Sequence, residues 1–206
     1  MLRIYLVFCA PKKGVMTMAD ALEADIGRIT SGVLGKQKSL DEVMGLSRRT
    51  IMGAGRAITM LHSGRTAEAR MLIGEMKADV ARLKRYDDKF LHHSMQAYQE
   101  YAEAVVFYAV KARRTVPGAR AVGINDEAYL MGLMDVVGEL KRELLEALRE
   151  SKRSDAEFYF ALMKRIYDGT RGLRFAESVL PGFRRKQDVA RIQVESAGSE
   201  MLHSSR

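Results

Sequence analysis

The chain has 206 residues, of which 47% are hydrophobic and 29% are charged. This composition excludes a disordered chain and is typical of one globular domain, or at most two small ones. The single cysteine, Cys9, excludes an intrachain disulfide framework and favours a reducing compartment, so a cytoplasmic protein is expected. The net charge of +8 favours a polyanionic partner such as nucleic acid, although many soluble proteins are basic without one.

The first ten residues, MLRIYLVFCA, are apolar but too few to span a bilayer. Lys12 and Lys13 follow this run instead of preceding it, which argues against a signal peptide. We interpret residues 1–18 as an N-terminal extension of uncertain role, either a short strand or a segment upstream of a later start at Met16 or Met18. The remainder predicts one helical domain over residues 19–202, a short tail at 203–206, and no membrane span.

Helical periodicity and break signals predict six helices in the domain. Ser63-Gly64, Pro117-Gly118 and Pro181-Gly182 are the clearest breaks. Thr66, Asn125 and the Ser154-x-x-Glu157 pattern are candidate N-caps. The predicted spans are 19–62 (with a bend near 36–39), 66–86, 87–114, 125–149, 154–171 and 183–202. The fold class is therefore all-α, a bundle of about six to seven helices.

Two of these helices carry acidic side chains inside apolar segments. Glu103 is the only charge among residues 101–110, and Glu100 precedes it by three positions. Asp135 is the only charge among residues 128–138, and Glu139 follows it by four. Spacings of three and four put each pair on one helix face, so four carboxylates converge if the two helices pack together.

Such a cluster needs compensation, because neighbouring carboxylates cannot all remain ionised on their own. Hard divalent cations prefer oxygen ligands, and Mg²⁺ or Mn²⁺ is the candidate cofactor. A bound ion of this kind activates water for phosphodiester cleavage. The alternative from spacing alone is that each acid pairs with a lysine or arginine across a helix interface.

The same segments resemble the translin/Trax family. The resemblance rests on Gln99–Phe107 (QEYAEAVVF) and Tyr129–Arg142 (YLMGLMDVVGELKR), with further agreement at Phe160–Gly169 and Arg184–Asp188. It implies a translin-like helical bundle that forms barrel-like oligomers around nucleic acid. It also implies that the magnesium-dependent endoribonuclease acids of the Trax subunit fall on Glu100, Glu103, Asp135 and Glu139. Acids at the first two positions are typical of Trax and not of translin.

The chain departs from eukaryotic Trax in two respects: very few residues separate the third and fourth helices, and there is no long N-terminal arm. This favours a compact, self-assembling homologue of prokaryotic or archaeal type. We therefore expect a Mg²⁺-dependent (or Mn²⁺-dependent) endoribonuclease that acts on single-stranded RNA inside a barrel-like homo-oligomer. The family suggests six to eight subunits, and we predict an octamer. Single-stranded DNA remains open as a further ligand. Basic residues near the acids are candidates for holding the nucleic-acid backbone: Lys111, Arg113, Arg114 and Arg142.

Two other hypotheses stay open. The chain could be a non-catalytic, translin-like oligomer that binds single-stranded RNA or DNA without cutting it. It could instead be a helical interaction protein whose acids pair with basic side chains. The separation of the two acidic pairs, and what each acid contacts, distinguishes these hypotheses.

Overall fold

Helices form all the regular secondary structure of the computed structural model, which describes residues 17–204. In chain order they are α1 (Met18–His62), α2 (Thr66–Leu83), α3 (Asp87–Lys111), α4 (Ala119–Val122), α5 (Asp126–Arg149), α6 (Arg153–Thr170) and α7 (Phe183–His203). A short 3-10 helix at Lys84–Tyr86 joins α2 to α3. The all-α prediction is confirmed, and none of these helices is long and apolar enough to cross a membrane.

The helix boundaries follow the predicted breaks, with informative differences. Asn125 caps α5 as predicted, since its side chain accepts a hydrogen bond from the backbone N–H of Ala128 at 2.7 Å. Ser154 and Thr66 are not caps, because each helix begins early enough to include them and has no side-chain cap. Helix α3 ends at Lys111 and the backbone turns left-handed at Arg113 (φ 53°), before the proline signal that set the predicted end. The four-residue helix α4 was not predicted.

The chain divides into two units within α1, at residues 41 and 42. The described part of the first unit, residues 17–41, is almost wholly helical, and the helix is continuous through the bend expected near 36–39. Large apolar side chains on it are exposed, including Leu22, Ile26 and Val33. The expectations for residues 1–16, including Cys9, lie outside the described residues.

The second unit, residues 42–206, has two apolar clusters. One joins the C-terminal half of α1 to α2, α3 and α4, and the other joins α5 to α6 and α7. Helix α3 contributes to both, through Phe107 in the first and Val106 in the second. Helices α3 and α5 therefore form the central pair of this unit, and they carry the two acidic pairs.

Gly132 explains how closely α3 and α5 approach. A Cβ atom added to this residue would lie 2.4 Å from the carbonyl oxygen of Gln99 and 3.2 Å from the backbone nitrogen of Glu103. Real Cβ atoms do not make such contacts, so a larger residue would force the two backbones apart. This contact lies next to Glu103 on α3 and one turn before Asp135 on α5, so glycine here brings the acidic pairs together.

Candidate functional site

The four acids predicted from the sequence lie within electrostatic reach of one another across the α3–α5 contact. Glu103 shows this most clearly. Burial raises the pKa of its carboxyl to about 8, and the negative charges of Asp135, Glu100 and Glu139 add to that rise. For Glu100 too, burial and then Asp135 raise the pKa of the carboxyl. Two helices therefore present one shared, strongly acidic region.

Glu103 is the least compensated of the four. Only 7% of the residue is exposed, and among residues 17–204 no side chain or backbone group hydrogen-bonds or ion-pairs with its carboxylate. Burying an acid without a partner costs free energy in its charged form, which is why its pKa rises. The fold keeps this acid in place although apolar residues surround it in the helix sequence.

Asp135 is partly compensated. Its Oδ2 atom accepts a hydrogen bond from Nε2 of Gln99 at 3.0 Å and is ion-paired with Nζ of Lys186, from the first turns of α7. The Asp135 side chain is still 29% exposed, and it lines a cavity of about 340 Å³ that also contacts Arg185. The site is thus open to solvent at Asp135 and closed at Glu103.

Glu139 belongs to a hydrogen-bonded network of ionisable groups at the other end of the site. His62, the last residue of α1, lies between two carboxylates: Nε2 is 2.5 Å from Oε2 of Glu139, and Nδ1 is 2.6 Å from Oε1 of Glu143. Nζ of Lys111 then donates to Oε2 of Glu143 at 2.5 Å. The His62 ring is 8% exposed and rests 4.9 Å from the ring of Phe107.

The positive and negative charges of this hydrogen-bonded network compensate one another. Burial works most strongly to lower the pKa of His62, but its bonds to Glu139 and Glu143 outweigh that effect and hold the pKa above its ordinary value. Burial likewise works to raise the pKa of Glu143, yet the bonds from His62 and Lys111 bring it below its usual range. Both shifts favour the charged forms, so the group is a compensated buried network.

The acids fit a hard cation in donor chemistry but are not arranged around one. Carboxylate oxygens are the ligands that Mg²⁺ and Mn²⁺ take, and an added positive charge would relieve the unmatched charge of Glu103. Among the described residues, however, no three His, Cys, Asp or Glu side chains surround a common point. Lys186 and His62 hold Asp135 and Glu139 instead. Cation binding therefore requires these side chains to rearrange.

The four basic residues predicted to hold nucleic acid have differing environments. Lys111 is largely buried against Glu143. Arg113 is ion-paired with Asp155 and lies 3.7 Å over the ring of Phe158. Arg114 is exposed near the Tyr108 ring, and Arg142 is exposed on α5. Lys111 and Arg113 are thus engaged within the chain, whereas Arg114 and Arg142 remain exposed.

Sequence reasoning missed three residues of this region: His62, Glu143 and Lys186. Glu143 had a usable signal, because it continues the Asp135 and Glu139 face of α5 by one more turn. Lys186 lies in the Arg184–Asp188 run, which entered the sequence analysis only through its resemblance to the family. His62 gave no local signal, because only the tertiary fold brings the last residue of α1 to the carboxylates of α5.

Comparisons with known proteins agree with the fold. No protein-family model matches the chain. An uncharacterized protein of Methanocaldococcus jannaschii is 26% identical over 182 residues, which is 86% of this chain and 82% of that protein. AfC3PO in a complex with duplex RNA superposes with a TM-score of 0.80 at 22% identity, covering 88% of this chain and 96% of that one. The structure of apo-NeC3PO gives 0.79 at 17% identity, covering 87% and 96%.

These likenesses extend over nearly the whole of each structure. A second AfC3PO structure, at 23% identity, has a TM-score of 0.78 and covers 88% of this chain and 97% of that one. The chain therefore has the all-helical fold of the C3PO structures. This is consistent with the translin/Trax-like homologue that the sequence motifs indicated.

Proposed function

We propose that the chain is a metal-dependent endoribonuclease that cleaves single-stranded RNA and works as a homo-oligomer. The observation that supports this most directly is Glu103, a buried carboxylate that faces three other acids and has no partner among the described residues. A purely structural acid would be expected to have acquired a basic partner. The AfC3PO complex with duplex RNA makes RNA the natural polyanion for a fold of this type.

In this proposal Glu100, Glu103, Asp135 and Glu139 hold Mg²⁺ or Mn²⁺. When bound, such an ion lowers the pKa of a coordinated water and stabilises the charge that develops on the scissile phosphate. Asp135 borders the open cavity, so we assign it to the side on which the RNA enters. Lys186, the ion-pair partner of Asp135, would be available to contact the phosphate once a cation took its place.

The chain's own residues keep the other side of the site fixed. His62 and Lys111 restrain Glu139 and Glu143 through hydrogen bonds at 2.5 and 2.6 Å. Glu103 is buried and does not line the cavity that Asp135 borders. The two acids of α5 thus differ in partner: Glu139 is paired with His62, and Asp135 is paired with Lys186 beside the open cavity.

The test is cleavage of a labelled single-stranded RNA with Mg²⁺, with Mn²⁺ and with EDTA. Wild-type protein should cleave only with metal, and Glu103→Ala should lose about 100-fold or more in rate, because removal of a metal-holding carboxylate removes most of the rate acceleration. Glu75→Ala, which removes an exposed acid of α2, is the matched control and should cleave like wild type. Cleavage by Glu103→Ala at the wild-type rate would show that the acids are not the active site.

A non-catalytic RNA-binding oligomer is the second candidate. The pairing of Asp135 with Lys186 and of Glu139 with His62 favours it, because both bonds satisfy the acids without a metal. This candidate predicts RNA binding that is sensitive to salt, insensitive to EDTA, and retained by Glu103→Ala, with no cleavage under any metal. Sedimentation of the same samples measures the number of subunits, for which we propose eight. Repeating the binding and cleavage assays with single-stranded DNA tests whether DNA is also a ligand.

A further inference from the structure

A second concentration of charge lies at the junction of α6 and α7, where four arginines line one small cavity. The lining comprises Tyr167, Arg171, Arg174, Arg184, Gln187, Asp188 and Arg191. Four cations thus share the cavity with one carboxylate. Its volume is about 200 Å³, below the roughly 300–1,000 Å³ of typical small-molecule pockets, so it suits a compact polar group. None of the acids of the proposed catalytic site lines it.

The walls of this arginine pocket are held in place. Gln187 is buried, and its Nε2 atom donates to the carbonyl oxygens of Thr170 at 2.7 Å and Leu173 at 3.2 Å. Nη1 of Arg174 donates to the carbonyl oxygens of Arg171 and Leu173, both at 2.7 Å. These bonds tie the segment after α6 to α7 and fix the direction of the Arg174 guanidinium. The floor of the pocket at Gln187 and the position of Arg174 are therefore held by the fold, and the other three arginines project around them from exposed positions.

The charge of the pocket is poorly matched by the protein. In the described part of the chain, Arg171 and Arg191 pair with exposed local acids, Asp168 at 3.6 Å and Glu195 at 3.2 Å, and exposed pairs of this kind contribute little. Arg184 has no ion pair or hydrogen bond from its side chain among residues 17–204. It also begins a run of three cations in the first turn of α7, a turn without acids, where the helix dipole disfavours positive charge.

We propose that this arginine pocket binds a phosphate group of RNA. Planar guanidinium groups bind phosphate oxygens through paired N–H donors, and a concave cluster of them favours one phosphate over a flat, diffuse anionic surface. Tyr167, whose side chain carries a neutral hydroxyl donor, also lines the pocket. The choice of RNA as the source of the phosphate rests on the proposed function, whereas the pocket's preference for a phosphate group follows from its own lining.

Arg184 is the best probe of the pocket, because its side chain is exposed and has no partner within the described residues, so its removal should leave the fold intact. We would measure the affinity of a 3′-labelled single-stranded RNA in EDTA, where no cleavage occurs, over a series of salt concentrations. Arg184→Ala should bind about five- to tenfold more weakly, and its salt dependence should fall by about 0.7 in slope per lost phosphate contact. Arg184→Lys should recover part of the affinity, and Arg70→Ala, which removes an exposed arginine of α2, should match wild type.

Two forms of the RNA distinguish the source of the phosphate. If the pocket takes the 5′-terminal phosphate, the effect of Arg184→Ala disappears when the RNA carries a 5′-hydroxyl. If it takes an internal phosphate, the effect is equal for the two RNAs. Inorganic phosphate should compete with RNA on wild-type protein and compete less on Arg184→Ala in either case.

The outcomes separate this proposal from the proposed catalytic function. Cleavage by Arg184→Ala should show a raised KM with kcat close to wild type, whereas Glu103→Ala should bind RNA normally and fail to cut. Equal RNA affinity of folded Arg184→Ala, Arg184→Lys and Arg70→Ala, checked by circular dichroism, overturns the arginine pocket alone. A preference of the pocket for an acidic peptide or for anionic vesicles, with RNA affinity unchanged by Arg184→Ala, also overturns it.

Discussion

The contact between α3 and α5 has a buried acid at each end, and the two acids differ in whether they have partners. At one end Glu143, a buried acid of α5, is bonded to both His62 and Lys111, and its pKa is lowered. At the other end Glu103, equally buried on α3, has no partner among the described residues, and burial and neighbouring acids raise its pKa to about 8. The two carboxylates differ in their neighbours and not in their exposure, which is 8% and 7%.

The difference implies that Glu143 stabilises the fold, whereas Glu103 destabilises it when ionised. Removing one member of a compensated buried ion-pair network destabilises the fold, because the remaining members stay buried without a partner. A buried carboxylate without a partner lowers the stability of the fold whenever it is ionised. Natural proteins commonly keep such costs at functional sites. The end of the contact around Glu103 is thus the better candidate for chemistry, and that around Glu143 for support.

The largest expected effect is on the supporting end. Glu143→Gln should lower the free energy of unfolding by about 3 kcal/mol at pH 7, because His62 and Lys111 lose the charge that matches them. Because the folded pKa of Glu143 is lowered, its contribution is complete above the unfolded pKa of about 4.5 and disappears as the pH falls through the folded value. Urea unfolding of the metal-free protein between pH 7 and pH 3 should show the two proteins converging at the acidic end.

Glu146→Gln is the control for this prediction. Glu146 lies on the same helix but is exposed, and within residues 17–204 its ion-pair partner is Arg149. Its substitution should change the stability by about 0.5 kcal/mol or less. Equal losses for the two variants would mean that the buried network contributes no more than a surface pair.

A second prediction concerns the distance between the helices. Gly132→Ala should destabilise the chain by about 2 kcal/mol, since the new methyl group meets the Gln99 carbonyl at 2.4 Å and outweighs the gain in helix propensity. Moving α5 away from α3 should also weaken metal-dependent cleavage. Gly74→Ala, where the added Cβ meets nothing within 4 Å, should instead stabilise α2 by up to about 1 kcal/mol. A neutral Gly132→Ala in the same unfolding assay would mean that the close approach does not matter.

The sequence predicted the two acidic helices but not this division of roles. Caps and periodicity located α3 and α5 to within a few residues, because those signals are local. The spacing of Glu100, Glu103, Asp135 and Glu139 was local as well. What distinguishes Glu143 from Glu103 is a histidine 81 positions away and a lysine 32 positions away. Contacts over such distances depend on how helices pack, and one sequence carries no periodic signal for them.

The smallest expected effect is a gain in stability, and it tests the contrast between Glu103 and Glu143 most directly. Glu103→Gln should stabilise the metal-free chain by a net amount of about 1 kcal/mol at pH 8, because loss of the unmatched charge outweighs the cost of burying the N–H donors of the amide without partners. A carboxyl whose folded pKa is raised to about 8 makes the fold progressively less stable as the pH rises from about 4.5 to 8, and the variant lacks that slope. The advantage should therefore shrink toward pH 4.5, when both are measured in EDTA.

The exposed acid of α2 supplies the matched control, since Glu75→Gln should leave the pH profile of wild type unchanged. A loss of stability in Glu103→Gln would mean that the carboxylate has a favourable partner in solution, and Glu103 would then resemble Glu143. A gain of stability together with a loss of metal-dependent cleavage would separate the two ends of the contact in a single variant. The same Glu→Gln change would then stabilise at position 103 and destabilise at position 143, which only a difference in local charge compensation explains.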